Sequence, residues 1–315
     1  MGRGIVYLVG AGPGDPGLVA LRAREVLASA DVVFYDGLVS RGVLRLIPRG
    51  TRKLRVAKGP RHRDRFPQER INRLLVAESR AGNKVVRLKG GDPLLFSRGG
   101  EEVEFLRAQG IRFEIVPGIS SALAAPAYAG IPLTERGASS SVALVTGHES
   151  RTFPGRPVNW SGLARAVDTL VVLMGAATLP TIAAALLGAG LAPDTPVAAV
   201  RWATTPRQRT ALFTLAEAVR PSFRARLESP SVLVVGPTVA RAHRRAWYSR
   251  ELRWASPGFV RAAERIARER AIGRAEAPAR PVSRAARRPP APPSAGSLRP
   301  RRRTAPRGAR GDRAR

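Results

Sequence analysis

The chain of 315 residues contains no cysteine. Disulfide frameworks, thiolate nucleophiles and cysteine-ligated zinc or iron–sulfur centres are excluded together, and a reducing cytoplasm is the expected compartment. Histidine is scarce: His62, His148 and His243 are the only three, too scattered for a histidine-rich metal site, so no metal is expected. Acidic residues number 23 against 54 Lys and Arg, a formal charge of +31. Only Lys53, Lys58, Lys84 and Lys89 are lysines, so the excess is almost all arginine. Residues 251–315 hold 18 Arg and 5 acids. So strong an arginine bias can come from genome composition, so no specific nucleic acid is expected. The more modestly basic body suits a polyanionic small substrate. The one long uncharged stretch, 169–193, is broken by Gly175, Pro180, Gly188 and Gly190. It reads as a buried strand at 169–173 and an Ala/Leu helix from 179 to 189, not as a membrane span. The N-terminus, with one charge and a short apolar run before a Gly/Pro turn, does not read as a signal peptide.

What is abundant is alternation. Ile5–Val9, Val32–Tyr35, Lys53–Val56, Lys84–Leu88 and Phe113–Val116 read as strands, and 18–29, 40–47, 67–80 and 98–109 between them as helices. That order predicts a mostly parallel sheet with helices on its faces. A second series of strands follows a polar patch at 134–141: Val142–Thr146, 169–173, 197–201, 209–214 and 231–235. The predicted fold class is α/β, with an N-terminal lobe at 1–137, a C-terminal lobe at 138–250 and a basic tail at 251–315, largely disordered. Within that tail, 274–315 is built from Ala, Arg, Pro, Gly and Ser and cannot bury a core.

Three loops stand at predicted carboxyl ends of strands, where open α/β sheets bind ligands. The first, GAGPGDPG (10–17), fails the dinucleotide fingerprint: Asp15 stands where the third Gly belongs, and Pro13 removes a backbone donor. A phosphate cradle is therefore disfavoured, while the Gly/Pro density still fixes a backbone against some ligand. The second, LKGGDPLLFSRGGEE (88–102), offers close main-chain approach at Gly90 and Gly91 and carboxylate oxygens at Asp92. The third, VPGISSALAA (116–125), opens a helix with Ser120 and Ser121 near its cap.

These strings, with YDGLVS (35–40), PQERIN (67–72), VTGHE (145–149), VVLMG (171–175) and TTPRQR (204–209), resemble in order the uroporphyrinogen-III C-methyltransferases of the tetrapyrrole methylase family. The resemblance spans residues 5 to about 247. It implies two α/β lobes with S-adenosylmethionine in the cleft between them, and a homodimer. By position it implies cofactor contacts at Pro13, Gly90, Gly91, Asp92, Leu95, Ser120 and Ser121, with Met174 and Ala203 from the second lobe. The implied reaction adds two methyl groups to uroporphyrinogen III, giving precorrin-2 for sirohaem or cobalamin synthesis. It further implies Asp36 as proton acceptor and Lys58 as proton donor. A sulfonium is already a strong methyl donor, so such chemistry needs alignment more than a metal. Arginines are expected on the substrate's carboxylates, for example among Arg87, Arg98, Arg207 and Arg209.

The sequence departs from the family on the substrate side. Gly37 and Gly59 stand where Arg is usual, Ser97 where Gly is, Leu94-Leu95 for Phe-Ile, and Ala203 for Gly. Lys58 to Pro67-Gln68 is one residue longer. A sister methylase of the cobalamin path, with a changed substrate, is the alternative within enzymes; a non-catalytic basic protein acting through its tail is the alternative outside them. The bismethylase is expected to act without a fused dehydrogenase/chelatase module. His62 is expected at the surface or against substrate, and His148 in a structural hydrogen bond. On texture alone Met174 is a core residue.

Overall fold

A computed structural model describes residues 4–56, 67–148, 157–220, 227–248 and 252–275. Five strands form the first sheet: β1 (Ile5–Gly10), β2 (Val32–Tyr35), β3 (Arg52–Arg55), β4 (Lys84–Lys89) and β5 (Phe113–Val116). They run parallel in the order β3-β2-β4-β1-β5. The helices between them are α1 (Leu21–Ala28), α2 (Arg41–Leu44), α3 (Gln68–Arg80) and α4 (Gly99–Ala108). Side chains alternate across a strand, and the two faces of this sheet bury different sets. Val9, Val33, Val86 and Leu88 meet Val26, Leu27 and Val43 of α1 and α2. Val6, Leu8, Phe34 and Val85 meet Ile71, Leu75 and Leu106 of α3 and α4.

The second sheet contains β6 (Val142–Thr146), β7 (Thr169–Leu173), β8 (Pro196–Arg201), β9 (Arg209–Thr214), β10 (Ser231–Val235) and β11 (Leu252–Ala255). Its order is β11-β9-β8-β10-β7-β6, and it is mixed. β10 lies antiparallel between β7 and β8, so those two share a direction and their carboxyl ends lie on the same edge. One face packs on α6 (Trp160–Ala166), α7 (Leu179–Gly188) and α8 (Leu215–Ala218). No helix among the described residues is long and apolar enough to cross a membrane.

Two features depart from the expected organisation. Helix α5 (Ser121–Tyr128) precedes the expected boundary at 137, yet Ala122, Ala125 and Ala129 are buried with Val171, Val200 and Val234 of the second sheet. Small residues let this helix sit close on the sheet, so the chain changes cores at Ser120. The tail expected from 251 begins later. β11 extends the second sheet by pairing parallel with β9, and α9 (Pro257–Ala275) buries Phe259, Ala262 and Ala263. Glu217 fixes this addition: it completes a capping box with Thr214 and accepts a hydrogen bond from Ser256 Oγ at 2.5 Å. The arginine-rich texture hid three apolar side chains sufficient to dock a helix. Residues through Arg274 form one compact unit containing both sheets.

Candidate active site

The carboxyl ends of β1, β4 and β5 are joined by glycine backbone. Gly12 and Gly91 exchange hydrogen bonds, N–H to O, at 3.2 and 2.8 Å. A Cβ built on Gly118 would lie 2.4 Å from Gly91 O and 2.7 Å from Gly10 Cα, closer than real Cβ atoms come. The three expected loops thus meet through main chain. Asp92 pins the meeting point, Oδ2 accepting from Gly118 N–H at 3.1 Å and Oδ1 from the N–H groups of Leu94 and Leu95 at 2.8 and 3.2 Å. Gly91 also lies beside Ser120 and Ser121, its built Cβ being 3.7 Å from Ser120 Cα and 3.8 Å from Ser121 N. Ser120 caps α5, its Oγ accepting from Ala122 N–H at 3.2 Å. Gly90, Gly91, Asp92, Ser120 and Ser121 are therefore neighbours.

The first loop also reaches the second lobe. Asp15 N–H donates to Thr204 Oγ1 at 3.0 Å, and its Oδ2 accepts from Tyr128 Oη at 3.0 Å. Buried Gln208 joins the same joint, accepting from Thr204 N–H at 2.7 Å and donating to Tyr128 O at 3.3 Å. Burial, reinforced by the Asp15 carboxylate, pushes the Tyr128 phenol up to about 12. Leu95 and Ala203, from different lobes, belong to one apolar cluster. Half-buried Pro13 adjoins Gly14, which packs against Ala203 O, Thr204 and Thr205. Met174 follows β7 on the same edge of the second sheet as Ala203, with φ of 57° and half its surface exposed, not in the core that its texture suggests. Phe96, Arg98, Trp202 and Thr204 also have left-handed backbone. Such strain is stored where a loop's path is dictated by something other than its own preference.

Asp36 follows β2 on the rim of the first sheet, and Arg87 Nη2 donates to its Oδ1 at 2.6 Å. This overturns the expectation of Arg87 as a free substrate-binding cation: its side chain is 4% exposed, and its Nε donates to Glu102 Oε1 at 3.1 Å. Lys89, which sequence reasoning passed over, donates to Glu102 Oε2 at 3.0 Å. Gln68 adds a bond to Glu102 Oε1 at 2.9 Å and one to Asn72 at 3.0 Å. The signal was in the strand period. KVVRLK puts Val85, Arg87 and Lys89 on one face, and a face that buries Val85 needs acids for the other two. Burial alone lowers the Arg87 guanidinium, but Asp36 and Glu102 outweigh it and hold it above its ordinary range. Burial, then repulsion from Arg87, pushes the Lys89 ammonium down against the pull of Glu102.

The remaining candidates divide. Arg98 forks onto Glu101 at 2.8 and 2.6 Å, and Arg207 stacks 3.7 Å above the Trp202 ring. Arg209 is exposed at the start of β9. His148 is exposed, its N–H donating to Thr146 Oγ1 at 3.2 Å. Lys58, Gly59 and His62 lie outside the described residues. Among the described residues no group of three or more His, Asp or Glu side chains could hold a metal ion.

Residues 5–219 match the tetrapyrrole (corrin/porphyrin) methylases. Siroheme synthases of Thiobacillus denitrificans and Chromobacterium violaceum are 45% and 47% identical over 247 residues, 78% of this chain. The chain spans about half the length of these relatives, 51% and 52%. Among solved structures, a uroporphyrin-III C-methyl transferase from Thermus thermophilus complexed with S-adenyl homocysteine is 43% identical with a TM-score of 0.64, covering 74% of this chain and 98% of that one. A cobalt precorrin-4 methyltransferase is 28% identical with a TM-score of 0.66, covering 75% and 95%. With residues 5–219 matched, well over half of its length, the chain belongs to the tetrapyrrole methylases.

Proposed function

We propose that this chain is an S-adenosylmethionine-dependent C-methyltransferase that adds two methyl groups to uroporphyrinogen III, yielding precorrin-2. The observation that carries this reading is the meeting of Gly10, Gly91 and Gly118 beside the Ser120 cap, on a chain 43% identical to a methyltransferase complexed with S-adenyl homocysteine. Glycine leaves main-chain groups open to a ligand there. Gly90, Gly91, Ser120 and Ser121 would hold the cofactor from the first rim. Leu95, Ala203 and Met174 would supply apolar walls, with Pro13 and the Asp92-braced loop fixing its approach. When bound, S-adenosylmethionine supplies an electrophilic methyl group to an electron-rich ring carbon.

The macrocycle then sheds a proton, and Asp36 is the carboxylate on the rim that accepts it. Lys58 is the proton donor in this reading. Exposed Arg209 suits the substrate's carboxylates. A cytoplasmic homodimer is the location and assembly that accompany this function, and sirohaem or cobalamin synthesis is the destination of the product. Gly37, exposed beside Asp36, favours a second reading in which a sister precorrin is methylated instead.

The test is incubation of the purified protein with S-adenosylmethionine and anaerobically generated uroporphyrinogen III, followed by product mass. Two added methyls are the expected result. One methyl would restrict the activity to a first transfer. None, with S-adenosylhomocysteine binding intact, would replace this substrate by a sister tetrapyrrole.

A further inference from the structure

Four ionisable side chains meet under the rim of the first sheet. Arg87 and Lys89 come from the buried face of β4, Glu102 from α4, and Asp36 from the loop after β2. Glu102 is 0% exposed at its side chain, Lys89 2% and Arg87 4%, whereas Asp36 is 30% exposed. The set is neutral, two acids against two bases, and only one member reaches solvent. A buried ion network gives little net stability compared with an apolar core of the same volume. Its cost is understandable where it orients a group that works.

We infer that Arg87 is the positioning residue for Asp36, with Glu102 as the anchor that fixes the guanidinium and Lys89 as the counter-charge that lets Glu102 serve two cations. The inference rests on the reading of Asp36 as proton acceptor. The geometry explains why arginine is required. One arm donates to Asp36 Oδ1 at 2.6 Å while Nε donates to Glu102 at 3.1 Å, a two-point attachment that a lysine ammonium on a flexible stem does not reproduce. Asp36 N–H also donates to Leu88 O at 3.2 Å, so backbone and carboxylate are both referred to β4. Arg87 therefore acts through Asp36 without touching substrate.

The kinetic test is Arg87→Lys in the wild-type chain and in Asp36→Asn. Acting through Asp36, the lysine variant lowers kcat on uroporphyrinogen III roughly tenfold or more, with KM within about twofold. In the Asp36→Asn background the same change has less than about a twofold further effect. A rise in KM, or losses that multiply in the double variant, would make Arg87 a substrate-binding or merely structural residue and overturn the inference.

A second measurement needs no turnover. In Arg87→Met combined with Glu102→Gln, which leaves Asp36 and Lys89 as a balanced pair, the crystal structure locates the Asp36 carboxylate. Loss of the guanidinium removes the 2.6 Å bond that holds Oδ1, so the carboxylate is expected to leave its place against β4. A carboxylate unmoved in the folded variant overturns the inference whatever the kinetics show. If the unaltered chain fails to methylate uroporphyrinogen III, the substrate reading falls, and the variant's structure still decides whether Arg87 governs Asp36.

Discussion

The two sheets differ in how much of their carboxyl-end rims is built from glycine contact. On the first, glycine backbones touch and the charged side chains lie underneath, buried and mutually satisfied. On the second, Gly147 and Gly175 likewise touch after the parallel pair β6 and β7, a Cβ built on Gly147 lying 2.4 Å from Gly175 Cα, but after β8 the contacts are made by side chains: Trp202 under Arg207, Gln208 under Thr204. The topology accounts for the difference. A parallel sheet delivers adjacent loops to the same end, so they crowd and only glycine fits. In the mixed sheet β10 runs back between β7 and β8, which separates the loops that follow them. Glycine contact follows parallel pairing, whereas residues with side chains and left-handed backbone stand on both rims, Phe96 and Arg98 on the first and Met174, Trp202 and Thr204 on the second.

The sharpest way to break this contrast lies under the first rim. Glu102→Gln leaves Arg87 and Lys89 buried against one fewer acid, and should cost about 3–5 kcal/mol in a urea unfolding titration. Next, Gly118→Ala forces a Cβ against Gly91 O and Gly10 Cα. A loss of about 1–3 kcal/mol is expected, with weakened S-adenosylhomocysteine binding by calorimetry. The matching change on the second rim, Met174→Gly, exchanges relieved strain for greater unfolded-state freedom, and should move stability by less than about 1 kcal/mol. Equal costs at positions 118 and 174 would erase the contrast.

The smallest effect concerns the joint between the rims. The Tyr128 phenol titrates above its unfolded value of 10.0, near 12, so its contribution is fully present below the unfolded value and disappears as pH rises through the folded one. Tyr128→Phe should lose about 0.5–1.5 kcal/mol at neutral pH and flatten the alkaline decline in thermal midpoint between those values. An unchanged decline would remove Tyr128 from the joint.

Much of this was legible in advance because period-two apolar runs bounded by Gly and Pro leave few alternatives. β2, β5, β6, β7, β9 and β10 fall where the residues place them. Chain order alone puts helix α5 in the first lobe, and nothing local in SALAAPAY says which sheet its small residues will touch. β11 and α9 were obscured by composition: Phe259, Ala262 and Ala263 are a short stripe inside a run of arginines. Of the expected site residues, Gly90, Gly91, Asp92, Ser120 and Ser121 come together because their loops follow β4 and β5, the two strands that flank β1. Arg87 departs from expectation because a charged side chain need not be an exposed one. The alternation of β4, applied strictly, puts that guanidinium inside.

The glycine-to-glycine contact at the first rim bears on how this protein should be interrogated. Recognition by main-chain amides and carbonyls has no side chain to truncate. An alanine scan across 10–12, 90–91 and 118 would add a methyl group at each glycine, so a misfolded variant and a variant unable to bind would look alike. Replacing individual amides by esters, which removes one donor and leaves the shape nearly intact, is the perturbation suited to this surface.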